Sequence, residues 1–309
     1  MPVRIPLITD PAARVLLDGL IDYAGLFPPA SLAVADAVRA YAKYRGGEAG
    51  WMLGRFVCPV AQLDAFGMVA EPLLPRDAGA IPWRLAAIGT GDHAADAAAM
   101  LRVNDCHRWS WEECSAIVDT METRAETLDD VAAIHTAFPT EISVYVEVPL
   151  TRDPRPFIDA LARTGRSAKM RTGGVSAEAF PQAAQIVLFI DACIEAGVAF
   201  KATAGLHHVL CGSYPFTYAP DAAQGSMFGF FNVLLACALR LDNATPAEIE
   251  VALLESDRTS VTFADDAIFW RSRRFDRTRL AHLREHVMTS FGSCAFTEPV
   301  SEVRAMGAW

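Results

Sequence analysis

Several signals that would settle a protein's class at once are missing from this sequence. No apolar run is long enough to cross a bilayer: the longest, MFGFFNVLLACAL at 227–239, holds about 13 residues, against the ~20 that a span requires. The first residues, MPVRIPLITDPAARV, bring in Asp10 and Pro11 before any continuous apolar core or A-x-A site, so they do not read as a signal peptide. Cysteines 58, 106, 114, 193, 211, 237 and 294 include no CxxC pair; they are odd in number and mostly embedded in apolar runs such as RFVCPV. That is the usage of reduced, packed thiols, and a cytoplasmic protein is expected. Basic charge is short: 27 Lys plus Arg face 37 Asp plus Glu, and the densest cluster, RSRRFDRTR, is interrupted by Asp276. A net charge of −10 repels a polyphosphate backbone, so neither nucleic acid nor membrane is an expected partner. Low-complexity linkers are absent too.

What is present is a chain of 309 residues, 52% of them hydrophobic, which excludes disorder and small disulfide scaffolds. Short β-like runs alternate with segments of helical length. The runs are LIDYAGLF, WMLGRFVCPV, WRLAAIGTG, SAIVDTMETR, ISVYVEVP, SAKMRTGGV and FKATAGL, and helical stretches such as SLAVADAVRAYAKY, with Ser31 as its N-cap, follow them. Seven such β/α units predict an α/β protein with a parallel sheet covered by helices. An eighth would close a single (β/α)8 TIM-type barrel over 1–309. Two segments compete for its strand: SVTF, which reads as one arm of a β-hairpin insertion at about 258–275, and SFGSCAF at 290–296. An open doubly wound sheet ranks second, since no Gly-rich dinucleotide fingerprint follows the first strand.

In a (β/α)8 barrel the active site lies at the C-terminal strand ends, and alternate strand residues point inside. That alternation sends Lys169 and Arg171 inward in SAKMRTGG, Lys201 and Thr203 inward in FKATAG, and Tyr145 and Glu147 inward in ISVYVEVP. Glu122 arrives near the end of the fourth strand, with Arg124 just beyond. Charges at that depth are costly unless paired or used. One reading is therefore a structural ion-pair layer and the other a site. Two lysines and an arginine against two glutamates leave a positive surplus, which suits a small anionic substrate, a carboxylate or phosphate. Gly173 and Gly174 suit close backbone approach to an oxyanion, as they suit ordinary β/α turns.

The KATAG segment, a lysine at a strand end followed by x-T-x-G, resembles the K-T-S-T-G segment of class I aldolases of the deoxyribose-phosphate aldolase type, whose lysine forms a Schiff base. The resemblance implies a carbon–carbon lyase acting without a cofactor, with Lys201 as nucleophile. Lys169 would lower its pKa by like-charge proximity. Glu147 or His207 would move protons and Arg171 would hold the anion, with Thr203, Glu122, Gly173, Gly174, Arg55 and Tyr214 as further substrate contacts. The match spans five residues, and in that family the second lysine lies on the following strand, whereas Lys169 precedes Lys201.

Other constellations stay open. Glu122, Glu147, His207 and His208 form an alternative divalent-metal set for an isomerase or hydrolase, although neither H-x-H nor H-E-x-x-H spacing occurs. A third alternative is a non-catalytic small-molecule-binding barrel. The ~18-residue connection after His208, which carries Tyr214 and Tyr218, has the length of a lid. Arg55 is expected to pair with Asp22. Cys106, His107 and Cys114 are too few for zinc, and Ser293 with Cys294 has no histidine tied to it by sequence. Assembly into a homo-oligomer remains compatible with the sequence.

Overall fold

The computed structural model describes residues 10–77, 79–108 and 115–309. The alternation is realised in chain order as α1 (Ala12–Leu17), β1 (Ile21–Tyr23), α2 (Val34–Arg45), β2 (Leu53–Pro59), α3 (Leu63–Ala70), β3 (Trp83–Ile88), α4 (His93–Cys106), β4 (Ala116–Arg124), α5 (Leu128–Ala137), β5 (Ser143–Glu147), α6 (Arg155–Thr164), β6 (Ser167–Arg171), α7 (Ala183–Ala196) and β7 (Phe200–Thr203). After β7 the rhythm changes. A hairpin of β8 (Gly212–Pro215) and β9 (Gln224–Met227) precedes α8 (Phe230–Leu241) and α9 (Pro246–Leu253). There follow β10 (Val261–Phe263), β11 (Ala267–Trp270), β12 (Arg273–Asp276), α10 (Arg277–His286), β13 (Met288–Ser293) and α11 (Thr297–Ala305).

Eight parallel strands close into a barrel in the order β1-β13-β7-β6-β5-β4-β3-β2. Of the two segments competing for the eighth strand, the 290–296 segment prevails, entering the barrel at Met288 and pairing with both β7 and β1. SVTF lies outside it. The insertion is a three-stranded antiparallel sheet, β10-β11-β12, rather than a two-stranded hairpin. The apolar-basic run IFWRSRRF breaks because Arg271 adopts the left-handed conformation (φ 51°), which reverses the chain a second time. Ser31 does not cap α2; it too is left-handed (φ 45°), and the helix starts after Ala33.

Local chemistry sets the other boundaries. Thr127 and Thr245 close capping boxes at the starts of α5 and α9, and Gly165 and Gly197 end α6 and α7 with positive φ. Residues Ala177–Ala196 are apolar and long enough in sum to cross a membrane, but Pro181 divides them into a 3-10 turn and α7, whose Ile186, Phe189 and Ile190 are buried. The basic stretch 271–279 is neutralised locally: Arg271 meets Glu255, Arg273 meets Glu248, Arg274 meets Asp266, and Arg279 meets Asp242.

The outward faces of the strands, including Phe56, Leu85, Val144, Val146, Ala168, Met170, Phe200 and Ala202, join the helices in one apolar core. Bulky aliphatic layers usually fill the inside of such barrels. Here charged side chains hold that space. The long β7–α8 connection sits on the C-terminal face and is pinned by Asn232, whose amide accepts from Cys211 N and Gly229 N and donates to Ala252 O and Glu255 O.

Candidate active site

Inside the barrel, carboxylates and cations alternate in one chain of contacts. Asp22 Oδ2 accepts from Lys201 Nζ at 2.7 Å, and Lys201 donates also to Glu122 Oε1. Glu122 Oε2 meets Lys169 Nζ at 2.9 Å, and Lys169 reaches Glu147 Oε2 at 3.2 Å. Glu147 Oε1 then takes Arg171 Nε at 3.0 Å and Arg124 Nη2 at 3.3 Å. Side-chain exposure climbs from 0% at Asp22 through 1% at Lys201, 2% at Glu122, 7% at Lys169 and 10% at Glu147 to 46% at Arg171 and 61% at Arg124. The chain of charges therefore runs from the sealed interior to the mouth. There it opens on a cleft of about 420 Å³, lined by Arg124, Glu147, Arg171, Phe180 and Gln185 among others.

Strand parity places Lys169, Arg171, Lys201, Tyr145 and Glu147 inside, as the sequence predicts. Lys169 and Lys201 are direct neighbours across the β6–β7 pairing, and Glu147 is the partner of Lys169 across β5–β6. At Glu122, Glu147 and Lys201 burial acts against the charged form, and the partners outweigh it. It raises Glu122, but Lys169 and Lys201 bring its carboxyl down to about 2. Glu147 is likewise held low by Lys169 and Arg171, and Asp22 with Glu122 lifts Lys201 above the ordinary amine range. Lys201 is thus an ammonium fixed between two carboxylates.

The charge balance differs from the expected surplus because two carboxylates and two arginines were not in the reckoning. Asp22 joins from β1, also accepting from Ser290 Oγ (2.8 Å) and the Arg55 backbone N–H (2.7 Å). The Arg55 guanidinium does not pair with Asp22. It donates to Asp119 at 2.6 Å, and Arg84 binds the same carboxylate at 2.5 Å. Asp119 escapes a parity reading because it is the extra residue of a β-bulge: Val118 pairs with Leu85 and Thr120 with Ala86. Among the described residues Arg55, Arg84, Lys169 and Lys201 thus pair with Asp22, Asp119, Glu122 and Glu147, a further buried cation, Arg284, is held by the carbonyls of Asp18, Met288 and Thr289, and Arg124 and Arg171 lie at the rim.

The remaining predicted residues divide. Thr203 faces the inside beside Gly292, where an added Cβ would stand 3.3 Å from its hydroxyl. The space above Gly173 and Gly174 is already filled: a Cβ would meet the Phe180 ring at 2.5 Å and Ala179 Cβ at 2.7 Å, so packing explains these glycines. Tyr214 stacks on His208 at 3.4 Å and donates to Leu210 O within its own loop. His208 is held by Glu302 at 2.8 Å. The alternative metal set is not assembled, since Glu122 and Glu147 are bound to lysines. Among the described residues no group of three or more His, Cys, Asp or Glu is placed to hold a metal. Cys114 lies outside the described residues; Cys106 is exposed, and His107 lies 3.5 Å from Ser115 Oγ.

His207 stands apart from the ion chain, with Ser293 and Cys294 at 3.2 and 3.7 Å from its Nδ1. This is the histidine the sequence could not tie to Cys294, and β13 and the β7 loop bring them together. Ser293 donates its proton to Ala295 O (2.6 Å) and so has none for His207. Burial, with His208 as a second cause, lowers His207 to about 4, and burial raises the Cys294 thiol. The pair is neutral rather than a thiolate–imidazolium couple.

One legible signal bears on the site directly. Only three of the 27 basic residues are lysines, Lys43, Lys169 and Lys201, and two of the three are these inner neighbours. Comparison with known proteins adds nothing to the geometry: no protein-family model matches the chain, and no curated protein matches it.

Proposed function

We propose that the protein is a Schiff-base carbon–carbon lyase acting on a small anionic carbonyl metabolite at the barrel mouth. The observation that carries the reading is the placing of two scarce lysines opposite each other in a chain that otherwise uses arginine. Arginine supplies charge but cannot give up its proton, whereas lysine can become a nucleophilic amine. In this reading the covalent role goes to Lys169 and not to Lys201. Lys201 is an ammonium clamped by Asp22 and Glu122 with 1% of its side chain exposed, whereas Lys169, 7% exposed, stands two links nearer the cleft in the chain of contacts, next to Glu147. The exchange puts the second lysine on the following strand, as in those aldolases, and takes the covalent role off the KATAG lysine, so the reading rests on the lysine geometry and not on that five-residue match.

The chemistry needs only the chain's own groups. Uncharged Lys169 adds to the substrate carbonyl, and protonated Glu147 gives its proton to the carbinolamine oxygen as water leaves, giving an iminium and the Glu147 carboxylate. A carboxylate, Glu147, takes the proton of the substrate's β-hydroxyl while the adjacent C–C bond breaks and its electron pair moves to the iminium nitrogen. The carbonyl fragment departs, the enamine is protonated, and water returns the second product and free Lys169. Lys201 stays charged throughout, clamped by Asp22 and Glu122. A cytoplasmic setting fits the six thiols of the described residues, all of them unbridged.

Borohydride reduction in the presence of a panel of 2-oxo acids and sugar phosphates, followed by peptide mass analysis, tests this. The expected result is a substrate-dependent adduct on Lys169 that Lys169→Arg abolishes; an adduct on Lys201, or none with any substrate, refutes it. Full pairing of the enclosed carboxylates favours one competing reading, a non-catalytic barrel with a structural ion layer. That reading requires ligand binding without turnover and a Lys169→Met variant that keeps all function.

A further inference from the structure

We infer that Arg124 and Arg171 form a carboxylate clamp whose transfer from Glu147 to the substrate turns Glu147 into the proton acceptor for Lys169, so that the substrate is a 2-oxo acid rather than a sugar phosphate. The inference rests on the reading of Lys169 as the attacking amine. Glu147 serves three cations at once: Arg171 on both oxygens (Nε 3.0 Å, Nη2 3.5 Å), Arg124 on Oε1 (3.3 Å) and Lys169 on Oε2 (3.2 Å). Of these, only the two arginines are open to the cleft. An incoming anion meets them first, and a guanidinium fork matches a carboxylate's two oxygens.

The geometry limits how far the anion can stand from the reacting carbonyl. The clamp and the Lys169 amine meet on the two oxygens of a single carboxylate, so a group held by Arg171 lies next to Lys169 Nζ. In a 2-oxo acid the carbonyl carbon is bonded directly to the carboxylate. In a sugar phosphate at least a carbon and an ester oxygen separate them, which carries the carbonyl past the amine.

The same transfer supplies the uncharged amine. Glu147 is buried, and Lys169 and Arg171 hold its carboxyl low against that burial. When both arginines turn to the substrate, burial favours the protonated acid. The nearest donor is Lys169 at 3.2 Å; its other partner, Glu122, remains paired with Lys201. The other charges lining the cleft, Glu126 and Glu178, are acidic and push in the same direction. The proton moves from Nζ to Oε2, leaving a neutral amine and a neutral acid. That acid returns the proton to the carbinolamine oxygen as water leaves.

Oxamate, a 2-oxo acid isostere whose amide forms no Schiff base, separates this inference from the lyase reading. The titration midpoint of Glu147 would be followed by NMR in protein labelled with ¹³C at the glutamate δ-carbon, with Glu147→Gln assigning the signal. Expected are oxamate binding at millimolar concentration or better, a rise of the midpoint by at least one pH unit on binding, and roughly tenfold weaker binding in Arg171→Gln, the scale of one charge-assisted hydrogen bond. Failure of oxamate to bind, binding with an unmoved midpoint, or unweakened binding in Arg171→Gln overturns the clamp. Because oxamate cannot be trapped covalently, a failed borohydride experiment beside a positive titration removes the lyase and leaves the clamp standing.

Discussion

Replacing Lys201 by Met keeps most of the apolar stem and deletes the one ammonium that touches both Asp22 and Glu122. Two charge-assisted hydrogen bonds are lost, worth roughly 1.5–3 kcal/mol each. Asp22 keeps Ser290 and the Arg55 backbone N–H, and Glu122 keeps Lys169, so neither carboxylate is left bare. The expected loss is therefore about 3–5 kcal/mol, the range for removing one partner of a buried ion pair. At ~1.4 kcal/mol per decade, the middle of that range is close to a thousandfold in the folding equilibrium. Urea unfolding followed by tryptophan fluorescence measures it, and pH supplies a second axis. Without Lys201 the folded-state pKa of Glu122 rises, so the variant can take up a proton that the parent refuses. Its deficit should then be full at pH 8 and smaller at pH 5. Combining Asp22→Asn and Glu122→Gln with Lys201→Met should recover most of the loss, since the stranded charges are gone. A deficit under ~1 kcal/mol at pH 8, or an equal deficit at both pH values, would refute the reasoning.

Three further outcomes follow from other parts of the molecule. Asn232→Ala removes four hydrogen bonds in a fully buried site; Cys211 N–H keeps Glu255 O (3.2 Å) and Ala252 O keeps Glu255 N–H (3.3 Å), but Gly229 N–H loses its acceptor, so the change should cost ~2 kcal/mol or more by chemical denaturation while loosening the β8–β9 loop to proteases. Gly229→Ala sets a Cβ 2.3 Å from Val209 O and 2.4 Å from Leu210 Cα, both backbone, so a loss of ~2 kcal/mol or more is expected in thermal or urea unfolding, and a neutral result would contradict the packing. Stability should fall steadily on acidification. His207, lowered to about 4 in the fold, contributes stability that is complete above the ordinary histidine value and lost as pH falls toward 4; Glu122, lowered to about 2, contributes stability lost from the ordinary carboxylate range down to about 2. His207→Gln should remove only the upper part of that slope, which a urea series at stepped pH would resolve.

Much of this protein is decided locally and is readable from the chain. The barrel follows from the alternation of β-branched runs with helical stretches, because each run's period-two pattern fixes which side chains meet the helices. The inward set of β5, β6 and β7 follows from the same rule: ISVYVE, SAKMR and FKAT each alternate without interruption. The scarcity of lysine was visible as well, and it marks Lys169 and Lys201 before any coordinates do. Parity failed where the chain departs from regular pairing. The bulge at Asp119 slips the register of β4, and the left-handed Arg271 turns one apparent strand into two.

Other features exist only across the closed barrel. Asp22 and Lys201 are 179 positions apart, and no local pattern says that their strands are separated by β13 alone. Yet that proximity makes Lys201 a locked ammonium and moves the reactive role to Lys169. The pairing of His207 with Cys294, and the neutrality of that pair, likewise depend on two loops meeting. Sequence determined which residue types point inward, because side-chain direction is a property of each strand. Tertiary structure decided which of them are charged, paired or free, because proton affinity depends on burial and on neighbours that only ring closure brings within a few ångströms.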